Sequence, residues 1–65
     1  MKIKDIRERT DEELTGLLQE LREEKFKLVI ASRTGQLEKS ARLRTVRRDI
    51  AKVLTEVTAR AAAAN

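Results

Sequence analysis

The chain has 65 residues, enough for one domain over residues 1–65, and it lacks Cys and His. Disulfides, thiolate or imidazole metal ligands and Ser–His–Asp or Cys–His catalytic groups are therefore excluded, and we expect no catalytic residue, metal or cofactor. Ala, Leu, Glu, Lys and Arg dominate, Pro is absent and charged residues interrupt every long apolar window, which predicts long helices and no membrane span.

The first half of the chain predicts a short helical turn followed by a long helix. Residues 1–9 place two isoleucines three apart, as in a helical turn. Thr10 followed by Glu13 matches a capping box, so a helix is expected over about residues 11–33. Gly16 is either a weak point in this helix or a place where a neighbour approaches closely. The apolar stripe has helical spacing and comprises Leu14, Leu17, Leu18, Leu21, Leu28 and Ala31.

The second half predicts a turn and a second helix of similar length. Gly35 is a helix stop signal, so we expect a turn over residues 34–40. Ser40 is the expected cap of a helix over about residues 41–61, and the Ala-rich tail, residues 62–65, is expected to fray. Its apolar stripe comprises Leu43, Val46, Ile50, Val53, Leu54, Val57 and Ala61. Two such stripes joined by a short turn predict an all-α, long antiparallel two-helix hairpin.

The charge of +4 is distributed unevenly. Residues 1–32 hold seven Lys/Arg against eight Asp/Glu, a net of −1, whereas residues 33–65 hold eight against three, a net of +5. Arg44, Arg48 and Lys52 are four residues apart and therefore stack on one helix face. Stacked like charges destabilise an isolated helix, so a phosphate partner is favoured. The candidate binding residues are Lys39, Arg42, Arg44, Arg47, Arg48 and Lys52. The first helix mixes its charges, and local pairing is expected there.

The type of nucleic acid follows from what the sequence lacks. Phe26 is the only aromatic residue, so a base-stacking platform for single strands is excluded. No helix-turn-helix or zinc spacing for reading duplex DNA is present. Recognition of folded RNA through backbone and shape remains.

Phe26 and Ile30 lie away from the apolar stripe of the first helix, by roughly 120–160° around its axis. They are candidates for contact with a neighbouring protein or RNA surface. Alternatively, Ile3 and Ile6 fold back over them, or they are scattered exposed residues.

Four motifs in order resemble a known family. They are the opening residues 1–7, the Phe26-x-Leu28 element, the turn at residues 35–38 and the run Val46-Arg47-Arg48-Asp49-Ile50-Ala51. Over residues 1 to about 57 the chain resembles the bacterial large-subunit ribosomal protein family numbered twenty-nine.

The resemblance implies a helical hairpin on the large ribosomal subunit, in the cytoplasm, near the exit of the nascent-peptide tunnel. It also implies contact with large-subunit ribosomal RNA and with the ribosomal protein numbered twenty-three. Arg47 and Arg48 match the family's paired arginines, and Asp49 matches the acid that follows, which is expected to orient an arginine or close a salt bridge. Lys27 and Val29 depart from the family, which often has Asn and a basic residue there.

Two other classes of function compete with a structural ribosomal protein. A coiled-coil adaptor or homodimer would use the same stripes against another helix, although Lys25 interrupts the first stripe and Gly35 breaks the run. An enzyme acting on a small-molecule substrate would need a nucleophile–base pair or a glycine-rich phosphate loop, and the sequence has neither. We therefore expect a non-enzymatic ribonucleoprotein component that acts in translation.

Overall fold

A computed structural model describes residues 1–64 of the chain and contains three helices. These are α1 (Ile3–Arg7), α2 (Asp11–Arg33) and α3 (Leu37–Ala64). Hydrogen bonds link Ser32 to Ser40 near the turn and Asp11 to Arg60 at the far end, so α2 and α3 run antiparallel. The molecule measures 44 × 18 × 16 Å. The described part contains no β-strand, and the predicted all-α hairpin is confirmed.

The start of α2 is fixed by local side-chain chemistry. The Thr10 hydroxyl accepts a hydrogen bond from the Glu13 amide at 3.1 Å, and the Glu13 carboxylate accepts one from the Thr10 amide at 3.5 Å. This reciprocal pair satisfies two backbone donors that the first helical turn leaves free. The predicted capping box is confirmed, and the predicted bounds of α2 match the observed ones.

The turn between the long helices is shorter than predicted. Gly35 has a φ of +87°, which lets the chain reverse at once, and α3 begins at Leu37. The Gln36 carbonyl accepts hydrogen bonds from the amides of Lys39 and Ser40, at 3.1 and 3.2 Å. The predictions of a turn over residues 34–40 and of a cap at Ser40 are therefore wrong. The Ser40 hydroxyl lies 2.8 Å from the Ser32 hydroxyl on α2.

The tail continues the second helix as far as the structure describes it. Residues 62–64 belong to α3, so the expected fraying is not seen there. Asn65, the last residue of the predicted tail, lies outside the described residues. No helix within residues 1–64 has an apolar stretch long enough to cross a membrane.

The core is one narrow row of side chains between the helices. Leu17, Leu18, Ile50 and Val57 pack against it and are partly buried. Leu54 and Ala61 are exposed, because a single neighbouring helix covers only a narrow strip of α3. Their predicted place in the core is therefore wrong. The buried side chains of this core are Ile6, Leu14, Leu21, Leu28, Leu43, Val46 and Val53.

Helix α1 packs on α3 and contributes one side chain to the core. Ile6 is 1% exposed, whereas Ile3 remains 53% exposed. The suggestion that these isoleucines fold over Phe26 and Ile30 is therefore wrong, since Ile6 enters the core between the long helices.

Arg60 ties the three helices together. Its guanidinium donates hydrogen bonds to the Asp11 carboxylate at 2.7 Å, to the Glu56 carboxylate at 3.0 Å and to the Arg7 carbonyl at 3.0 Å. The hydrogen bonds with Asp11 and then Glu56 raise the pKa of Arg60 above its ordinary value. One side chain of α3 thereby fixes the end of α1 and the start of α2.

Exchanging each glycine for alanine should change stability in opposite directions. A Cβ at Gly16 meets nothing within 4 Å, so no described neighbour requires glycine there. Gly16→Ala should stabilise the fold by about 1 kcal/mol through helix propensity, raising the melting temperature by about 4–8 °C. Gly35→Ala should lower it, because the left-handed backbone strains an L-residue by roughly 1–2 kcal/mol. Circular-dichroism melts test both, and shifts of the same sign would contradict this account.

Replacing Arg60 should release α1 while leaving the long hairpin in place. Arg60→Met keeps the apolar stem but removes the bonds to Arg7, Asp11 and Glu56. The Ile6 amide, which bonds to the Lys2 carbonyl, should then exchange its hydrogen faster in an NMR experiment. Arg44→Met is the matched control and should leave this exchange unchanged. Equal protection of Ile6 in both variants would show that Arg60 does not hold α1.

Candidate nucleic-acid interface

Three of the predicted binding residues form an exposed cluster on α3. Arg44 and Arg48 are four residues apart on the outer face of the helix, and Arg47 lies beside them toward α2. All three are exposed, and within residues 1–64 none of them forms an ion pair or a side-chain hydrogen bond. We call Arg44, Arg47 and Arg48 the arginine cluster.

Two other predicted residues are engaged within the chain. Arg42 forms an ion pair with Glu24 on α2, at 2.9 Å. The Lys52 ammonium donates a hydrogen bond to the Met1 carbonyl at 2.9 Å and is partly buried. The predicted stack of Arg44, Arg48 and Lys52 is therefore interrupted at Lys52, because the segment that leads into α1 covers that turn of α3.

Lys39 lies apart from the arginine cluster. It is exposed in the first turn of α3, close to the tip of the hairpin. The structure thus brings Arg44, Arg47 and Arg48 together, leaves Lys39 at the tip and engages Arg42 and Lys52 in contacts within the chain.

Asp49 pairs with the N-terminus of the chain and not with a neighbouring arginine. Its carboxylate lies 3.4 Å from the N-terminal ammonium of Met1, so it closes a salt bridge to the start of the chain. Of the two roles expected for Asp49, the salt bridge is observed, and its partner comes from the segment before α1. The arginine cluster consequently has no acid among the described residues within ion-pair distance.

The charged residues of α2 do not pair with one another as expected. Glu24 pairs across the hairpin with Arg42. Within the described chain, Arg22, Lys25 and Lys27 make no ion pair. The sequence pattern suggested a self-neutralised helix, and the structure leaves these three cations without a partner.

The two apolar residues singled out on α2 are exposed. Phe26 is 69% exposed and Ile30 is 52% exposed, and both lie on the face of α2 opposite the core. Sequence reasoning missed Leu37, which is 84% exposed at the start of α3. It was placed in the turn, where an apolar residue attracted no attention.

The geometry suits binding of a polyanion through its backbone. Arginine donates two parallel hydrogen bonds to one phosphate, and a rigid helix fixes the spacing between neighbouring guanidinium groups. Grooves on the surface are shallow and open, and no cluster of three or more potential metal ligands occurs within residues 1–64. The site is a charged ridge on a rod.

Comparisons with known proteins identify the family. The family model described as ribosomal L29 protein matches residues 4–60. The chain is 53% identical over 55 residues to the large ribosomal subunit protein uL29 of Natranaerobius thermophilus, covering 85% of each chain. It is 48% identical to uL29 of Geobacillus stearothermophilus over 65 residues, which is 100% of this chain and 98% of that protein.

A more distant relative extends the same result. The uL29 protein of Ruegeria pomeroyi is 44% identical over 64 residues, covering 98% of this chain and 97% of the relative. No solved structure gives a significant match. Because the family model spans residues 4–60 and relatives match it over most of its length, this chain belongs to the ribosomal L29 protein family.

Proposed function

We propose that the chain is a structural constituent of the large ribosomal subunit and binds large-subunit ribosomal RNA through backbone and shape contacts. The main support for this proposal is the arginine cluster, which is exposed and has no ion-pair partner among the described residues. Like charges at neighbouring helical positions destabilise the free helix, and phosphate groups offset that repulsion. Family membership supplies the ribosomal setting.

The proposed binding is electrostatic and depends on the shape of the RNA. Each arginine neutralises a phosphate and releases bound counterions, so affinity falls as salt rises. The long hairpin holds the guanidinium groups at fixed spacings, which selects RNA surfaces whose phosphates have a matching arrangement. Neither step needs a catalytic group, a metal or a cofactor. The role is that of a non-enzymatic component of a cytoplasmic ribonucleoprotein in translation.

The proposed position is close to the exit of the nascent-peptide tunnel, beside the ribosomal protein numbered twenty-three. The family resemblance supports this position. The structure adds an exposed apolar pair, Phe26 and Ile30, on the face of α2 that the rest of the chain leaves uncovered. An apolar pair beside a charged ridge suits a protein that contacts RNA with one surface and a neighbouring protein with another.

The alternative of a coiled-coil adaptor is disfavoured by the core. The stripes of α2 and α3, which an adaptor would offer to a partner, bury one another within this chain, with Leu14 and Val53 both at 0% exposure. The outer faces carry isolated apolar residues and no heptad stripe.

Reversing one charge of the arginine cluster should weaken RNA binding specifically. Arg48→Glu removes a phosphate contact and introduces repulsion, so affinity for transcribed large-subunit RNA should fall. The negative slope of log K against log salt should become smaller in magnitude by about one. Lys27→Glu makes the same charge change on an exposed part of α2 and serves as the control. Filter binding at several salt concentrations, with helix content checked by circular dichroism, makes the measurement. Equal binding by Arg48→Glu and the wild-type protein would argue against the RNA-binding role.

The proposed protein contact can be tested in assembled subunits. A photo-crosslinking phenylalanine analogue at Phe26 should join the chain to the ribosomal protein numbered twenty-three. The same analogue at Thr55, which is exposed on α3, is the control and should not yield that product. Mass spectrometry of the crosslinked bands identifies the partner. If the analogue at Phe26 links only to RNA, or to nothing, this face does not contact that protein.

A further inference from the structure

The two edges of the hairpin differ in how their charges are satisfied. One edge carries the ion pair between Arg42 and Glu24. Further along α3, at successive intervals of seven residues, Asp49 contacts Met1 and Glu56 lies in a groove that α1 also lines. Seven residues are close to two helical turns, so these positions share one edge. We call this the covered edge, because α1 lies against it and its cations are paired.

The opposite edge is marked near the turn by a contact between the long helices and at the far end by a groove between them. Near the turn, the Ser32 and Ser40 hydroxyls lie 2.8 Å apart. At the far end, Asp11 and Ala61 line the same groove. We call this the free edge.

The register of the free edge follows from these two anchors. Steps of seven from Ser40 toward Ala61 pass through Arg47 and Leu54 on α3, and steps of seven from Ser32 toward Asp11 pass through Lys25 and Leu18 on α2. Because the helices are antiparallel, each forward step on α3 matches a backward step on α2. The register therefore places Lys25 opposite Arg47.

This juxtaposition sets two cations against each other across the helix seam. Lys25 is partly buried, as expected at a seam, and Arg47 is exposed. Neither makes an ion pair or side-chain hydrogen bond within residues 1–64. Arg22 and Arg44 lie one helical turn away, on α2 and α3 respectively, and they are also unpaired there. In antiparallel helix pairs such edge positions usually hold opposite charges, which stabilise the pairing.

We infer that Lys25, Arg47, Arg22 and Arg44 form a phosphate site in which one stretch of RNA backbone crosses the seam from α3 to α2. The inference rests on the proposed RNA-binding function. It extends RNA binding to residues of α2, to which the family resemblance assigns no RNA contact. Packed helices lie about 8–10 Å apart. A phosphodiester chain presents its charges in a continuous row and contacts cations on both helices, whereas a single acidic side chain contacts one.

The test is to remove the charge of Lys25 alone. Lys25→Gln in the full chain should weaken binding to transcribed large-subunit RNA about five- to eightfold at ~0.1 M salt, because one phosphate contact adds about 0.7–0.9 to the salt slope. Lys27→Gln removes the same charge from an exposed position on α2 outside the free edge and should leave both affinity and slope unchanged.

The outcomes separate this inference from the proposed function. If Arg48→Glu weakens RNA binding and Lys25→Gln does not, the RNA-binding function stands and the seam site is wrong. If neither variant changes binding, both are wrong. If Lys25→Gln leaves RNA binding intact but lowers incorporation into the large subunit, the free edge binds an acidic protein surface and the phosphate site is wrong.

A second variant tests the juxtaposition itself. Lys25→Glu places an acid opposite Arg47, so the melting temperature of the free protein should rise while RNA affinity falls. The rise should disappear when Arg47 is also replaced by Gln, since the double-mutant cycle isolates this one pair. A lower melting temperature in Lys25→Glu, or a gain that persists without Arg47, would show that the two residues do not face each other.

Discussion

The antiparallel packing of two apolar stripes is the interaction on which every other feature depends. Seven buried side chains form the core, and six of them come from α2 and α3. One helix can cover only a narrow strip of its neighbour, so most of each helix surface stays exposed to solvent. That narrow coverage leaves Leu54 at the rim of the core and Arg48 on the outer face of α3. A rod of this kind offers a large surface for its size and has little core to stabilise it.

The short helix α1 compensates along one edge. It adds the buried Ile6 to the core, and polar contacts through Asp49, Lys52 and Arg60 hold its segment against α3. These contacts satisfy two cations and one acid that would otherwise face solvent. They also explain why Lys52 differs from Arg48, although both lie in the same row of the sequence pattern. Arg44, Arg48 and Lys52 form one regular row in the sequence, but the segment that leads into α1 covers only the Lys52 end of it.

Local signals predicted what local chemistry determines, and tertiary contacts account for the rest. The capping box at Thr10 fixed the start of α2 correctly, because it joins residues three apart. The start of α3 was placed too late, because Ser40 is a good cap by type, yet Gly35 completes the reversal alone. The diversion of Lys52 depends on Met1, 51 residues away, and no local pattern carries that information. Identifying Lys25 as the residue of α2 opposite Arg47 requires the register between the long helices. The sequence could not give this register, because the predicted turn was too long.

The contrast between the two edges links stability to binding. On the covered edge, cations meet acids or carbonyls of the same chain, as in the pair of Arg42 with Glu24. On the free edge, the register sets Lys25 against Arg47, and neither has a counterion among the described residues. A thin core gains nothing from such repulsion, and a single acid at either position would relieve it. The arrangement is favourable only when an external anion lies across the seam, so the same residues that weaken the free hairpin strengthen its attachment to RNA phosphates.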